Sequence, residues 1–310
     1  MSTQVFPGPQ PVWTQIAQSN PDQLVLTGDN IYIDAMPNPV HPKHMTDDEF
    51  AFHVFSLYKD LIAQPEFSQL VKAVPTDAIW DDHDFLWNES YAEKAIKKNV
   101  YKGLVRTSRA MFNAYTRALS AQLAPGSFPS EYWDFALWVP DEAEPGYRYK
   151  DLGQGIALHL TDGRSSRVGS VLLGQAQRLA IEARMASLPV DSVHLLASGS
   201  VVEAHKGDHW GAFEDYQWLL ALGRRFNVLV LSGDIHENRF ASIDLGGGRA
   251  LFEATASGAA IRRLITLLSE CQNYGMLDID ANEILVSLFS FGAPSVVAPV
   301  RIDRATWTLT

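Results

Sequence analysis

Four short apolar runs in this chain each end in an aspartate, and this pattern limits the possible folds more than any other feature. The runs are 24–27, 78–80, 156–160 and 229–232; the acids after them are Asp29, Asp81 to Asp84, Asp162 and Asp234. Short continuous apolar runs are typical of buried strands in an α/β sheet, whose carboxyl ends line a ligand-binding crevice. We therefore predict an α/β fold that brings several acids to one edge.

Clustered carboxylates predict a metal centre. Carboxylates repel one another and lose hydration when they are buried, unless each is paired with a cation or binds a metal. Histidines are sparse among these acids, so the ligand set favours a hard or borderline cation over a soft one.

Composition narrows the function classes. The 310 residues, 46% of them hydrophobic, can form one large domain or two small ones, and we expect a single domain over 1–310. A formal net charge of -11 argues against binding to a nucleic-acid backbone. The single cysteine, Cys271, excludes a disulfide framework and cysteine-based zinc motifs. No apolar stretch reaches the roughly 18 residues that would span a bilayer.

Helical and strand patterns alternate along the chain. Thr46 and Glu49 form a capping-box pattern that predicts a helix over 47–63. Helices are also predicted over 13–18, 91–123, 174–188, 211–222 and 261–269; strands over 24–27, 77–80, 132–139, 147–152, 156–161, 193–197, 227–232, 239–244, 250–254, 274–279, 284–290 and 305–309.

The run Asp81-Asp82-His83-Asp84 has two interpretations. One carboxylate can bind a metal while His83 donates a proton to a leaving group and a neighbouring aspartate, Asp84 or Asp81, orients the imidazole. Alternatively, the acids only stabilise a helix N-terminus. Trp80, which would bury the approach to this loop, favours the first interpretation.

Two Gly-Asp turns follow the near-identical runs LVLT and LVLS. Gly28 allows a sharp turn that brings Asp29 to the sheet edge, although Asp29 could equally bond local amides. Asp234 and His236, two residues apart, would project to one side if the strand conformation continues, which suits ligands of a binuclear centre. The alternative is a turn aspartate beside a structural histidine.

Two arginines follow Asp162 at a spacing that suits an anionic substrate. Arg164 and Arg167 could hold phosphate oxygens through their guanidinium groups. An ion pair between Asp162 and Arg164 is the competing interpretation. Further along, the polar residues His205, Asp208 and His209 lie where one more ligand could be supplied, whereas His159 and His194 lie inside apolar runs and are expected to be structural.

Taken together, these motifs resemble those of the metallophosphoesterases, and specifically of the PhoD-like alkaline phosphatases. The similar segments are GDNIYID at 28–34, WDDHDFLWNES at 80–90, DGRSSR at 162–167, SGDIHENRF at 232–240, the segment from His209 and FEATASG at 252–258, in the order of that family. The resemblance implies a metallophosphatase-like two-sheet β-sandwich flanked by helices. The family's opening strand, which carries a ligand of the first metal, has no counterpart after residue 1, so we expect it to be lacking.

The resemblance also assigns roles. It implies that Asp29 bridges two metal ions and that Asp82 is a ligand, with His83 in the place of the catalytic histidine. Tyr32 fits the position of an iron-binding tyrosine. Asp234 and His236 would be ligands from the last block, and Arg164 a phosphate contact. The implied cofactors are two or more ions of iron, calcium, manganese or zinc.

The expected activity is hydrolysis of a phosphoester substrate by metal-activated water, with His83 as general acid, Asp84 or Asp81 orienting it and Arg164 offsetting phosphoryl charge. Two alternatives stay open: a phosphodiesterase or phospholipase-like activity, and a non-catalytic metal-binding homologue. The chain as printed is expected in the cytoplasm, or in the periplasm or outside the cell if its natural start lies upstream. The sequence does not indicate the oligomeric state.

Overall fold

The computed structural model describes residues 9–35, 40–97, 101–133, 146–203, 208–259, 272–290 and 297–310. The chain divides into two compact units, Met1–Glu144 and Pro145–Thr310. The single domain predicted over 1–310 stays a prediction. No helix among the described residues is both long enough and apolar enough to cross a bilayer.

The first unit is mainly helical around two parallel strands. Its elements in chain order are α1 (Pro11–Gln18), β1 (Leu24–Thr27), α2 (Asp47–Ala63), α3 (Pro65–Ala73), β2 (Thr76–Ile79), α4 (Asp82–Phe85), α5 (Ala92–Ile96) and α6 (Lys102–Ser120). A short 3-10 turn at Pro42–His44 precedes α2. The capping box predicted for α2 is confirmed, because Thr46 Oγ1 accepts from the Glu49 amide and the Glu49 carboxylate accepts from the Thr46 amide.

The candidate site lies at the carboxyl ends of strands β1 and β2. They run parallel, with Thr27 paired to Ile79 at their carboxyl ends. Helices with apolar faces pack around the two strands. Two of these helices also contact each other, since the ring of Trp13 in α1 packs edge-on against Phe67 of α3 at 5.1 Å. The loops that carry Asp29 and Asp81 to Asp84 therefore leave neighbouring strands at the same end, as the sequence predicts.

The second unit contains two sheets. Its elements are β3 (Arg148–Gly153), β4 (Ile156–Leu160), α7 (Gly174–Ala186), β5 (Val193–Ser198), α8 (Tyr216–Arg225), β6 (Asn227–Ser232), β7 (Asn238–Gly246), β8 (Arg249–Ala256), β9 (Asn273–Ile279), β10 (Glu283–Ser290), β11 (Val300–Asp303) and β12 (Thr308–Leu309). The larger sheet has the order β3-β4-β5-β6-β8-β7, in which the four central strands are parallel. The smaller sheet, β12-β11-β10-β9, is antiparallel.

The larger sheet is covered on both faces. Leu251 belongs to a buried cluster with Ile181 of α7 and Leu219 of α8. The next residue, Phe252, points the other way and contacts the ring of Trp307 at 5.5 Å. Successive strand residues face opposite sides of a sheet, so helices cover one face and the smaller sheet covers the other. The predicted α/β fold with two sheets and flanking helices is confirmed.

Several predicted elements differ in extent. The helix predicted over 91–123 is divided into α5 and α6, and Tyr101 before α6 has non-helical backbone angles. The helix predicted over 211–222 is a 3-10 turn at Trp210–Ala212 followed by α8, because Phe213 between them is extended. The strand predicted over 305–309 is interrupted by a turn in which Asp303 accepts from the Thr306 amide. The helix at 261–269 and residues 134–139 lie outside the described residues.

Candidate metal centre

Gly28 brings the two loops of the first unit into close approach. Its φ is +100°, and a Cβ built on it would lie 2.7 Å from the Asp81 Cβ and 3.3 Å from the Asp81 amide nitrogen. Only glycine avoids both that contact and the strain of a left-handed backbone. Asp29, the next residue, is also left-handed, with a φ of 52°. Strain of this kind at a non-glycine residue is concentrated at functional sites.

Three of the predicted residues come together in the first unit. Asp29, Asp82 and His83 each offer one ligand atom, and these atoms all lie within 4.8 Å of one another. Asp29 is 6% exposed and Asp82 is 4% exposed. Tyr32 places a third oxygen beside these atoms, since its hydroxyl donates to Asp29 Oδ2 at 2.9 Å. Two buried carboxylates and a half-buried phenol at this spacing fit a hard or borderline cation, and the half-buried imidazole of His83 lies beside them.

Asp82 is positioned by backbone donors. The His83 amide donates to its Oδ1 at 2.9 Å, and the Glu89 amide donates to its Oδ2 at 2.5 Å. Ser90 Oγ also donates to the Asp82 carbonyl at 3.2 Å. These bonds hold the side chain in place at the first turn of α4, where the helix N-terminus favours a negative charge.

His83 is oriented by Asp34, which is a correction to the expected partners Asp84 and Asp81. Its Nδ1 lies 2.6 Å from Asp34 Oδ1, and the other Asp34 oxygen accepts from the Asn88 amide at 3.0 Å. The Tyr32 ring stacks on the imidazole at a centroid distance of 4.3 Å. Asp34 lies in the segment GDNIYID, but no local pattern indicates its role, because its contact with His83 spans 49 residues.

The surrounding carboxylates raise the pKa of His83. Burial alone would lower its pKa, but the bond to Asp34 and the charges of Asp29, Asp82 and Asp34 raise the pKa to about 10. Burial would likewise raise the pKa of Asp34, yet its bond to His83 holds that pKa below the usual value. The contact with Asp34 therefore favours the protonated form of the imidazole, which could donate its proton.

Asp84 faces away from His83. Its Oδ1 accepts from the Ile31 amide at 2.9 Å, and its Oδ2 accepts from the Asp81 amide at 3.1 Å. It is fully buried, and burial together with the charge of Asp29 raises its pKa to about 6. The expected catalytic role of Asp84 as the partner of His83 is wrong, because α4 turns its side chain toward the loop after β1.

Asp234 and His236 follow β6 in the second unit. The strand ends at Ser232, and both residues are left-handed, with φ values of 67° and 55°. The extended conformation expected to place them on one side does not continue. The His236 amide donates to Ser257 Oγ at 2.8 Å, which fixes the turn to the end of β8. Both side chains are partly exposed. Their roles as ligands stay proposals.

Arg164, the predicted phosphate contact, is buried and paired with an aspartate. Its side chain is 1% exposed, and its Nη1 donates to Asp208 at 2.7 Å. Arg167 Nη1 donates to the same carboxylate oxygen at 2.5 Å. Although burial raises the pKa of Asp208, the two arginines hold that pKa below its usual value. Asp162 also contacts the backbone of this arginine, because its Oδ1 accepts from the Arg164 amide at 3.0 Å.

The two strand histidines are structural, as predicted. His159 Nε2 lies 3.1 Å from His194 Nδ1, and the Tyr147 hydroxyl lies 2.9 Å from His159 Nδ1. Both rings are buried, at 0% and 1% exposure. Burial, followed by the charges of His194 and Arg184, lowers the pKa of His159 to about 3; burial lowers the pKa of His194 to about 4.

The fold that carries this site is similar to that of known phosphatases. A search of curated protein sequences finds no significant match. The solved structure of PhoD superposes with a TM-score of 0.66 at 14% identity, covering 98% of this chain and 68% of that one. A dimetal phosphatase from Danio rerio superposes with a TM-score of 0.51 at 10% identity, covering 94% of this chain and 87% of that one. These similarities show a shared fold.

The sequence match is to a single family model, and it includes every candidate residue of the first unit. The model describes PhoD-like phosphatases and matches residues 1–188. That range contains the Asp29, Asp82 and His83 group and its orienting partner Asp34, as well as Arg164. The chain therefore belongs to the PhoD-like phosphatase family.

Proposed function

We propose that the protein hydrolyses phosphoric esters with the help of bound metal ions and uses His83 as the general acid. The observation that carries this proposal is the group formed by Asp29, Asp82 and His83, whose carboxylate and imidazole atoms lie within 4.8 Å of one another, with the imidazole oriented by Asp34. Membership of the PhoD-like phosphatase family supports the same reaction class.

Asp29, Tyr32 and Asp82 are the proposed ligands in the first unit. Two buried carboxylates that lie this close together repel each other and lose hydration. A cation bound between them offsets this unfavourable free energy. Asp234 and His236 are proposed ligands on the basis of the sequence pattern alone. When bound, the metal ions would supply Lewis acidity that activates water and offsets charge on the phosphoryl oxygens.

His83 is proposed to protonate the leaving oxygen of the ester. Asp34 holds Nδ1, so Nε2 is the nitrogen presented to the substrate. Stacking on Tyr32 restricts rotation of the ring. A general acid held in this way contributes about 10²- to 10⁴-fold to the rate.

Arg164 remains a proposed phosphate-binding residue. Its Nη1 is bonded to Asp208, and the two form an ion pair with little exposure to solvent. A buried guanidinium keeps its charge, so it can stabilise negative charge on a phosphoryl group that approaches the pair.

The decisive experiment measures metal content and turnover on the same preparations. Metal is quantified by mass spectrometry, and hydrolysis is followed with a chromogenic phosphomonoester and a chromogenic phosphodiester. We expect Asp29→Asn to lose metal and activity together, and His83→Ala to keep metal and lose turnover. Asp60→Asn, a change of an exposed aspartate on α2, is the matched control and should resemble the wild type.

Each outcome has a clear meaning. Fully active Asp29→Asn would refute the proposed metal centre. Full activity of His83→Ala would refute the proposed general acid while leaving the metal centre in place. The faster of the two substrates in the wild-type protein identifies the ester class.

A further inference from the structure

Asp84 is a buried carboxylate that the proposed reaction does not use. It lies two residues after the proposed ligand Asp82 and one after His83, yet its two oxygens are directed to hydrogen-bond donors. Its side chain is 0% exposed. A fully buried carboxylate is costly to retain unless its bonds serve the structure around it.

The donors to Asp84 come from both loops of the candidate centre. Ile31 donates its amide at 2.9 Å and Asn30 donates its side-chain Nδ2 at 3.1 Å, both from the loop after β1. The Asp81 amide donates at 3.1 Å from the loop after β2. Two of the three donors are thus more than 50 residues away in sequence, so Asp84 does more than begin the short helix α4.

Asn30 extends this connection to the sheet. Its side chain is fully buried, and its Nδ2 also donates to the carbonyl oxygen of Ile79 at 2.9 Å. Ile79 is the last residue of β2 and is paired with Thr27, the last residue of β1. Asn30 and Asp84 therefore tie both loops to the strand ends from which they leave.

We propose that Asp84 is a positioning residue that holds the two proposed ligands, Asp29 and Asp82, at the separation that binds the metal. Asp29 directly precedes Asn30, and Asp82 directly follows Asp81, so each ligand is next to a donor to Asp84. Asp84 is fully buried, and among the described residues it does not belong to the group of side chains whose ligand atoms come together, so we do not assign it as a ligand. The inference rests on the metal-dependent function proposed above.

The test compares metal affinity in Asp84→Asn with that in Tyr58→Phe. An asparagine at 84 has the same shape, but an NH2 group replaces one of the two accepting oxygens. That NH2 group would face an N–H donor, so at least one hydrogen bond between the loops is lost. The Tyr58 hydroxyl is 3.5 Å from Asp84 Oδ1, at the limit of a hydrogen bond, and its removal keeps the ring and the three bonds described above. Tyr58→Phe is therefore the matched control within the same buried cluster.

We expect Asp84→Asn to bind Mn²⁺ about 10- to 100-fold more weakly than wild type, measured by competition with a chromophoric chelator. Circular dichroism of the metal-free proteins checks that the fold is retained. Hydrolysis by the variant should recover at saturating Mn²⁺, which a general loss of structure would not allow. Tyr58→Phe should bind Mn²⁺ within about twofold of wild type on the same measure, well below the effect of losing a ligand-supporting group.

An Asp84→Asn protein that folds and binds Mn²⁺ as tightly as Tyr58→Phe would overturn the inference. If Asp84→Asn does not fold, Asn30→Ser provides the second test, since it removes the Asn30 bonds to Asp84 and Ile79 but keeps the carboxylate. Unchanged Mn²⁺ affinity in Asn30→Ser would also overturn it. If the wild-type protein binds no metal, the proposed metal-dependent function fails together with this inference. If the wild-type protein binds metal and the variants bind it equally well, the inference alone fails.

Discussion

The Nδ1 atom of His83 lies 2.6 Å from the Oδ1 atom of Asp34, and this contact joins the loop after β1 to the first turn of α4. The same loop carries Asp29, while α4 begins with Asp82. Asp34 therefore orients the proposed general acid, and it lies on the same loop as the proposed ligand Asp29. Asp34 has a second fixed bond, to the Asn88 amide, so its carboxylate is well placed to hold one tautomer of the imidazole.

Asp34→Asn should lower kcat by about 10²-fold, the lower end of a general acid's contribution, without loss of metal. An amide at this position cannot both accept from His83 and accept from the Asn88 amide, so the ring is held less firmly. Steady-state kinetics and metal analysis on one preparation measure the effect. Asp60→Asn serves as control; equal kcat values for the two variants would mean that Asp34 does not act through His83.

Gly28→Ala should destabilise the first unit more than Gly126→Ala does. Both glycines have positive φ, +100° and +76°, so each alanine carries backbone strain of about 1–2 kcal/mol. The Cβ at 126 would meet nothing within 4 Å, whereas the Cβ at 28 would be 2.7 Å from the Asp81 Cβ. The contact should add a further penalty of about 1–3 kcal/mol.

Urea unfolding of the two glycine variants measures this difference directly. Because both alanines would have a positive φ, the difference in their free energies of unfolding reports mainly on the contact with Asp81. Similar free energies would show that the two loops can separate at little cost. In that case the close approach at Gly28 would not be needed for the arrangement of Asp29 and Asp82.

Local patterns were sufficient to predict much of the fold. The capping residues Thr46 and Glu49 gave α2 its observed start, and the apolar run before Gly233 gave β6 its observed bounds. Both signals depend on residues within a few positions of one another. The two loops with Asp29 and Asp82 were also predicted to meet, because parallel strands share a carboxyl edge.

Long-range contacts explain what the sequence did not indicate. The partner of His83 was expected among its neighbours Asp81 and Asp84, whereas it is Asp34, 49 residues earlier. The sequence offered Asp162 as the ion-pair partner of Arg164, whereas Asp208, 44 residues later, pairs with it. Three aspartates within four residues are equivalent in the sequence. Only the direction of each side chain around the first turn of α4 distinguishes the proposed ligand Asp82 from the proposed positioning residue Asp84.

Acid should destabilise the protein through His159 and His194. Their pKa values in the folded state are lowered to about 3 and about 4, whereas an unfolded histidine titrates near about 6.5. Above about pH 6.5 both states are neutral and the two histidines have no effect on stability. Below it, only the unfolded state binds protons, so the free energy of unfolding falls by up to about 1.4 kcal/mol per pH unit for each histidine.

Replacement of one of these histidines tests that slope. His194→Asn keeps a polar atom near the position of Nδ1 and removes one titrating group, so its stability should fall less steeply between pH 6.5 and pH 5. His44→Asn, a change of an exposed histidine, should leave the slope unchanged. Denaturant unfolding at several pH values gives both slopes; parallel curves for wild type and His194→Asn would contradict the prediction.

The buried ion pair between Arg239 and Glu253 should matter far more to stability than an exposed pair. Arg239 Nη2 donates to Glu253 Oε2 at 2.5 Å, and Glu253, 0% exposed on β8, also accepts from the Val202 amide at 2.7 Å. Removing the arginine leaves a buried carboxylate without its counter-ion. We expect Arg239→Met to cost about 3–5 kcal/mol in the free energy of unfolding.

A double-mutant cycle separates this pair from its surroundings. The combined variant Arg239→Met with Glu253→Gln should be more stable than the sum of the two single changes predicts, because it leaves no buried charge unpaired. Arg301 and Glu283 form the control pair; their side chains are 50% and 34% exposed, and the same cycle there should give about 0–1 kcal/mol. Equal coupling energies for the two pairs would show that burial does not strengthen the link between β7 and β8. A large coupling energy for Arg239 and Glu253 alone would show that this ion pair holds the start of β7 to β8. The start of β7 lies two residues after His236.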